Sequence, residues 1–89
     1  MRIEEIVWDD ETILHIAKHG VEPEEVEEIC FEGSPYVLNA KYNRYLVLGQ
    51  SQSGRYLTIV FIYLGQNKAK IITARAMSQA ERNLYKRRQ

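Results

Sequence analysis

Arg55 and Arg75 are the residues whose spacing most directly suggests chemistry. A guanidinium donates paired hydrogen bonds to phosphate oxygens, so two of them on one face bracket a single phosphate. Gly65-Gln66-Asn67 separates two β-prone runs. A three-residue loop there sets Leu64 opposite Lys68 and Leu57 opposite Arg75, and directly opposed residues share a face. Arg55 is two residues from Leu57 and lies on that face, which makes the arginines diagonal neighbours about 7–8 Å apart at the backbone. A two-residue turn at Gln66-Asn67 instead sends them to opposite faces. The competing assignment is that Arg55 blunts a strand end and Arg75 pairs with an acid from residues 1–40.

Other groups carry weaker signals. His15 and His19 are one helical turn apart, a spacing that suits a metal, but no HExxH motif or further histidine supplies a third ligand. The plainer reading of His19 is a cation at a helix C-terminus beside Gly20. Glu81 is the only acid after residue 40. It is either a general base or the partner of Ser78, three residues on, in a capping box, and the Ser78–Glu81 spacing favours the box. Tyr85, one turn beyond Glu81, either donates a proton or stacks on a base, or simply packs on the sheet. Cys30 sits in an apolar stripe and reads as core.

The charges are divided along the chain. Residues 1–40 hold eleven acids and two bases, and residues 41–89 hold ten bases and one acid. The formal net charge of zero therefore conceals halves of −9 and +9. The basic half can attract phosphates, while the neutral total argues against indiscriminate nucleic-acid binding. The acids of the second helix are most simply a solvated face, and its first-turn glutamates suit a helix N-terminus.

The 89 residues make one domain, 1–89, with a thin core, since a chain this short buries only about 60–65% of its unfolded surface. The single cysteine excludes an internal disulfide and a Cys-rich zinc site. Neither a signal peptide nor an apolar run of about 18 residues is evident, so the expected compartment is the cytoplasm.

These residues must be positioned by alternating elements. Residues 3–8 are β-prone. Asp9 or Asp10 caps a helix over 11–19 that ends at Gly20. A second helix starts at Pro23 and ends at Gly33-Ser34-Pro35. Residues 36–39, 45–50, 56–64 and 70–74 read as an antiparallel meander with turns at Ser53-Gly54 and Gly65-Gln66-Asn67. A last helix opens at Ser78 and closes on Lys86, Arg87 and Arg88. The order β-α-α-β-β-β-β-α predicts an α+β fold, an antiparallel sheet packed with helices.

Taken in order, Trp8-Asp9-Asp10-Glu11, Lys18-His19-Gly20-Val21, Glu24-Glu25-Val26, Gly54-Arg55, Ile71-Ile72-Thr73-Ala74-Arg75, Glu81-Arg82 and Tyr85 resemble the BrnT family. Its members are ribonuclease toxins of type II toxin–antitoxin pairs. The resemblance implies a compact fold similar to the RelE toxins and RNA cleavage without a metal or other cofactor. It also implies neutralisation by a BrnA-like antitoxin with a ribbon–helix–helix domain, with assemblies such as a homodimer or a toxin–antitoxin heterotetramer. By position, Lys18, His19, Arg55 and Arg75 would take catalytic roles, with Glu81 and Tyr85 as reserve RNA-binding candidates. His15 stands where the family pattern leads one to expect asparagine.

On that resemblance the reaction is attack by the RNA 2′-OH on the adjacent phosphorus, with Arg55 and Arg75 binding phosphate and Lys18 or His19 as acid–base partner. Histidine is suited to that role near neutral pH. Apolar and aromatic residues of the sheet would hold an unpaired base. The alternatives are a non-catalytic module that binds nucleic acid or an acidic protein, as a degenerate toxin would, and an interaction protein pairing its acidic helix with a basic sheet.

Overall fold

The computed structural model describes residues 2–88. The elements are β1 (Glu5–Val7), α1 (Asp10–Ala17), α2 (Pro23–Glu27), a π-helical turn (Glu28–Glu32), β2 (Tyr36–Asn39), β3 (Arg44–Gln50), β4 (Tyr56–Gly65), β5 (Lys68–Ala76) and α3 (Gln79–Arg88). This is the anticipated order and an α+β fold. The π-helical turn is an addition, closed by Gly33 N–H donating to the Glu28 carbonyl at 3.0 Å.

The sheet runs β1-β5-β4-β3-β2. Its last four strands form the expected antiparallel meander, but β1 pairs parallel with β5, so the sheet is mixed. The parallel pairing spans only Glu5–Val7 against Lys68–Lys70. Beyond Lys70 the edge of β5 lies outside this ladder, and α1 runs against β5.

Register is where sequence reasoning and structure part. The β4–β5 connection is a two-residue turn, with Gln66 and Asn67 both at positive φ (53° and 62°) and Gly65 opposite Lys68. A shift between Tyr63 and Gly65 then restores the register that a three-residue loop would have given: Tyr63 faces Ala69 and Phe61 faces Ile71. A second shift between Val60 and Phe61 inserts Ile72 without a partner. Beyond it Thr58, not Leu57, faces Arg75. One extra residue moves every later side chain of β5 to the other face relative to β4.

The two faces pack differently. Val47, Leu57, Ile59, Phe61, Ala69, Ile71 and Ala74 meet Ile16, Val21, Val26 and Ile29 from the α1–α2 side in one core. The opposite face carries Leu48, Thr58 and Arg75 in register, and there Glu81 of α3 meets both Thr58 and Arg75. Burying a fully packed aliphatic side chain stabilises by about 1.5–3 kcal/mol, so the first face supplies most of the fold's cohesion.

Gly49 shows how tightly the core is closed. A Cβ there would collide with Cγ2 of Ile29, a fully buried, β-branched side chain. Gly49→Ala is expected to destabilise by about 1–3 kcal/mol. Adding Ile29→Val should recover none of that loss, since valine keeps both the colliding Cγ2 and the neighbouring Cγ1. Urea unfolding midpoints of the two variants and wild type check this; an unchanged Gly49→Ala midpoint contradicts it.

Candidate active site

The C-terminal turn of α1 carries the Lys18-His19-Gly20 motif. Gly20 N–H donates to the Ala17 carbonyl (2.9 Å) and Val21 N–H to the Ile16 carbonyl (3.0 Å), with Gly20 at φ +73°. This is a Schellman closure, which needs a left-handed residue and favours glycine. Val21 and Ile16 are both buried, completing the apolar contact of that motif. At the other end the Asp9 carboxylate accepts from Thr12 N–H at 2.7 Å. That bond holds Asp9 below the usual carboxylate range.

Arg55 is fixed against this turn. Its Nη1 donates to the Gly20 carbonyl (2.7 Å) and to both oxygens of Glu25 (2.8 and 3.1 Å). The backbone of Arg55 is closed into its loop by Ser51 N–H donating to the Arg55 carbonyl (2.9 Å) and Arg55 N–H donating to Ser51 Oγ (3.2 Å). Its side chain is still 41% exposed.

Beside α1 lies a groove of about 680 Å³ lined by Glu11, Thr12, Leu14, His15, Lys18, Ile72 and Thr73. His15 Nε2 is 3.0 Å from Thr73 Oγ1, and the His15 and His19 rings meet edge to face with centroids 5.2 Å apart. Ile72, the bulged residue of β5, lines this groove.

Arg75 is engaged elsewhere. Its Nη1 and Nη2 donate to Oε1 and Oε2 of Glu81 at 2.8 and 2.9 Å. Glu81 also accepts from Thr58 Oγ1 (2.9 Å) and Ser78 N–H (2.8 Å), while Glu81 N–H donates to Ser78 Oγ (3.1 Å). The capping box therefore forms, and it is fused to a bidentate ion pair. The Arg75 guanidinium, followed by the Ser78 amide and the Thr58 hydroxyl, holds the Glu81 carboxyl down at about 2. Arg75 is pushed up in turn by Glu81. A carboxylate so placed is a poor proton acceptor near neutral pH. Tyr85 is 5% exposed and packs edge-on against Tyr56, so its ring offers no stacking surface.

Two expectations are thereby corrected. Arg55 and Arg75 do not bracket one phosphate: the Ile72 bulge sends Arg75 to the face shared with α3, while Arg55 points to α1 and α2. The competing assignment, in which Arg55 only blunts a strand end and Arg75 pairs with an acid from residues 1–40, does not hold either. Arg55 takes the acid from residues 1–40, Glu25, and Arg75 takes Glu81. Arg55 does reach the end of α1, on the Gly20 carbonyl that follows Lys18 and His19 in the chain. His15 and Thr73 meet in the groove beside α1; the His15–His19 spacing was visible in the sequence, but Thr73 depended on the bulge. Cys30 is largely buried, which with nearby Glu27 pushes its thiol up to about 12. Among the described residues no group of three or more His, Cys, Asp or Glu could hold a metal, and no helix is long and apolar enough to cross a membrane.

Residues 8–81 match the family described as "Ribonuclease toxin, BrnT, of type II toxin-antitoxin system". The chain belongs to the BrnT family. The fold is similar to the 1.1 Å crystal structure of the Brucella abortus ribonuclease toxin BrnT, with a TM-score of 0.68 and 26% sequence identity. The likeness covers 84% of this chain and 97% of the Brucella chain. No curated protein matches the sequence. The matched span contains Lys18, His19, Arg55, Arg75 and Glu81.

The Arg75–Glu81–Ser78–Thr58 network makes a prediction about acid stability. A depressed folded-state value means that the ion pair's contribution is fully present above the ordinary carboxylate value of 4.5 and is lost as pH falls toward 2. Glu81→Gln is expected to cost about 1–3 kcal/mol at pH 7 and to flatten the stability–pH curve across that window. Thermal unfolding of both proteins between pH 2 and pH 7 measures this; parallel curves contradict it.

Proposed function

We propose that this BrnT-family chain is a metal-independent endoribonuclease toxin that cleaves cellular RNA and so arrests translation. The observation that carries this reading is the seating of Arg55 on the carbonyl of Gly20, directly behind Lys18 and His19. It sets the Arg55 guanidinium against the turn that carries Lys18 and His19, next to an open groove that Lys18 lines. Nη2 of Arg55 makes no hydrogen bond among the described residues, which leaves a donor for a phosphate oxygen.

The chemistry follows from these groups. The 2′-oxygen attacks the adjacent phosphorus, and the bond from phosphorus to the 5′-oxygen breaks. Lys18 or His19 exchanges protons with the attacking and leaving oxygens. Arg55 stabilises the charge that builds on the phosphoryl oxygens. Arg75 acts on the other face as a separate contact to the RNA backbone, with Glu81 holding its fork in place. The products are a 2′,3′-cyclic phosphate and a 5′-hydroxyl end. The protein acts in the cytoplasm and is silenced by a BrnA-like ribbon–helix–helix antitoxin, in a toxin–antitoxin heterotetramer.

Expression in growing cells should arrest translation and yield RNA fragments ending in cyclic phosphate. His19→Ala, Lys18→Ala and Arg55→Ala should each lower cleavage by about 100-fold or more. Arg75→Ala should weaken RNA binding more than turnover. Toxicity unchanged in Arg55→Ala and Arg75→Ala overturns the site assignment. RNA bound but left intact, with or without EDTA, supports the binding-module reading instead.

A further inference from the structure

We propose that His15 is a second catalytic imidazole, the general base that pairs with His19 as general acid, and that the groove between α1 and β5 is where the 2′-hydroxyl is deprotonated. The inference rests on the ribonuclease reading above and assigns its proton transfers. Cleavage through the 2′-oxygen needs two proton transfers at nearly the same moment, one from the nucleophile and one to the leaving group. The chain has only two histidines. His15 is in the last turn of α1 and His19 just past its end, their ring centroids are 5.2 Å apart, and both are exposed.

Thr73 fixes the geometry of the first. Its Oγ1 lies 3.0 Å from His15 Nε2. A hydroxyl accepts from an N–H as readily in the neutral ring as in the cation, so this bond survives protonation. With Nε2–H donating to Thr73, Nδ1 carries the lone pair, because the bond made by one ring nitrogen sets the state of the other. Nδ1 of His15 takes the 2′-hydroxyl proton as the oxygen–phosphorus bond forms. The imidazolium of His19 gives its proton to the 5′-oxygen as that bond breaks. One proton enters the pair and one leaves it, and no other reactant is required.

The titratable groups around His15 are Glu11 on α1 and Lys18 and His19 just past its end. The working form has His15 neutral as base and His19 charged as acid, so the rate traces a bell against pH. Asparagine at this position keeps an amide able to bond Thr73 but has no proton to exchange, so the role is particular to a chain with histidine here.

The test is kcat/KM against pH for cleavage of a fluorescent single-stranded oligoribonucleotide by wild type, His15→Asn and Thr73→Val. Wild type should show a bell. His15→Asn should lose about 100-fold and one limb of the bell, with its melting temperature near that of wild type. Thr73→Val should keep both limbs with a smaller loss. If His15 only fastens α1 to the sheet, His15→Asn and Thr73→Val lose activity alike and both keep the bell, which overturns the inference. His15→Asn within threefold of wild type overturns it too. Wild type that leaves the oligoribonucleotide intact, both alone and in a translating extract, refutes the ribonuclease reading and this inference with it.

Discussion

The register of β4 against β5 fixes where every functional side chain goes. The pairing starts from a two-residue turn, gains one residue before Tyr63 and another at Ile72. After the second shift, Ala74 joins the helix-covered core while Arg75 joins Thr58 on the other face. Without it Arg75 would project into the apolar layer, where an unpaired guanidinium is costly. With it the guanidinium meets Glu81, and Thr73 reaches His15 near the bulge. Bulges of this kind re-aim side chains near functional sites. Here a single bulge separates a structural arginine network from an exposed groove.

The division of charge along the sequence acquires a specific form. Arg55–Glu25 is the ion pair that joins the acidic half to the basic half among the described residues. It also carries the Gly20 carbonyl, so the pair fastens the end of α1 to the start of α2. Arg75–Glu81 joins the end of β5 to α3 in the same way. Both arginines are about two-fifths exposed, which screens their ion pairs and leaves room for phosphate. An RNA backbone must compete with a carboxylate at each. The contribution of such a site comes from orientation as much as from net charge, because the guanidinium fork is held in one pose before RNA arrives.

Much of the fold was legible because its signals are local. Asp9, Gly20, Pro23, Gly33 and the Ser78–Glu81 box mark helix ends by hydrogen-bond chemistry that the residue types dictate. The strands announced themselves by β-branched and aromatic runs. The turn at Tyr42-Asn43 did not, because both residues take positive φ without a glycine. The bulge at Ile72 was invisible for a different reason. Ile-Ile-Thr reads as ordinary strand, and only packing against β4 and α1 decides which residue loses its partner. The parallel pairing of β1 is a tertiary choice that its short β-prone run does not encode. The phosphate clamp failed because it depended on register, while Arg55 reaches the turn after α1 because helix capping and an ion pair place it there.

The stiffness of α1 ties these observations to chemistry. An eight-residue helix alone is marginal in water, so its order must come from its ends and from packing. Asp9 caps the first turn, and the preceding Trp8 donates through Nε1 to Glu27 Oε2 at 3.2 Å. The last turn is closed by Gly20 and Val21 and gripped from outside by Arg55. Ile16 is fully buried between them. A helix held at both ends and in its middle cannot slide along the edge of β5. The backbones of His15, in its last turn, and His19, just past its closed end, therefore keep a fixed separation. Fixed separation is what two coupled proton transfers require, since small misplacement of either group removes most of the advantage of having both.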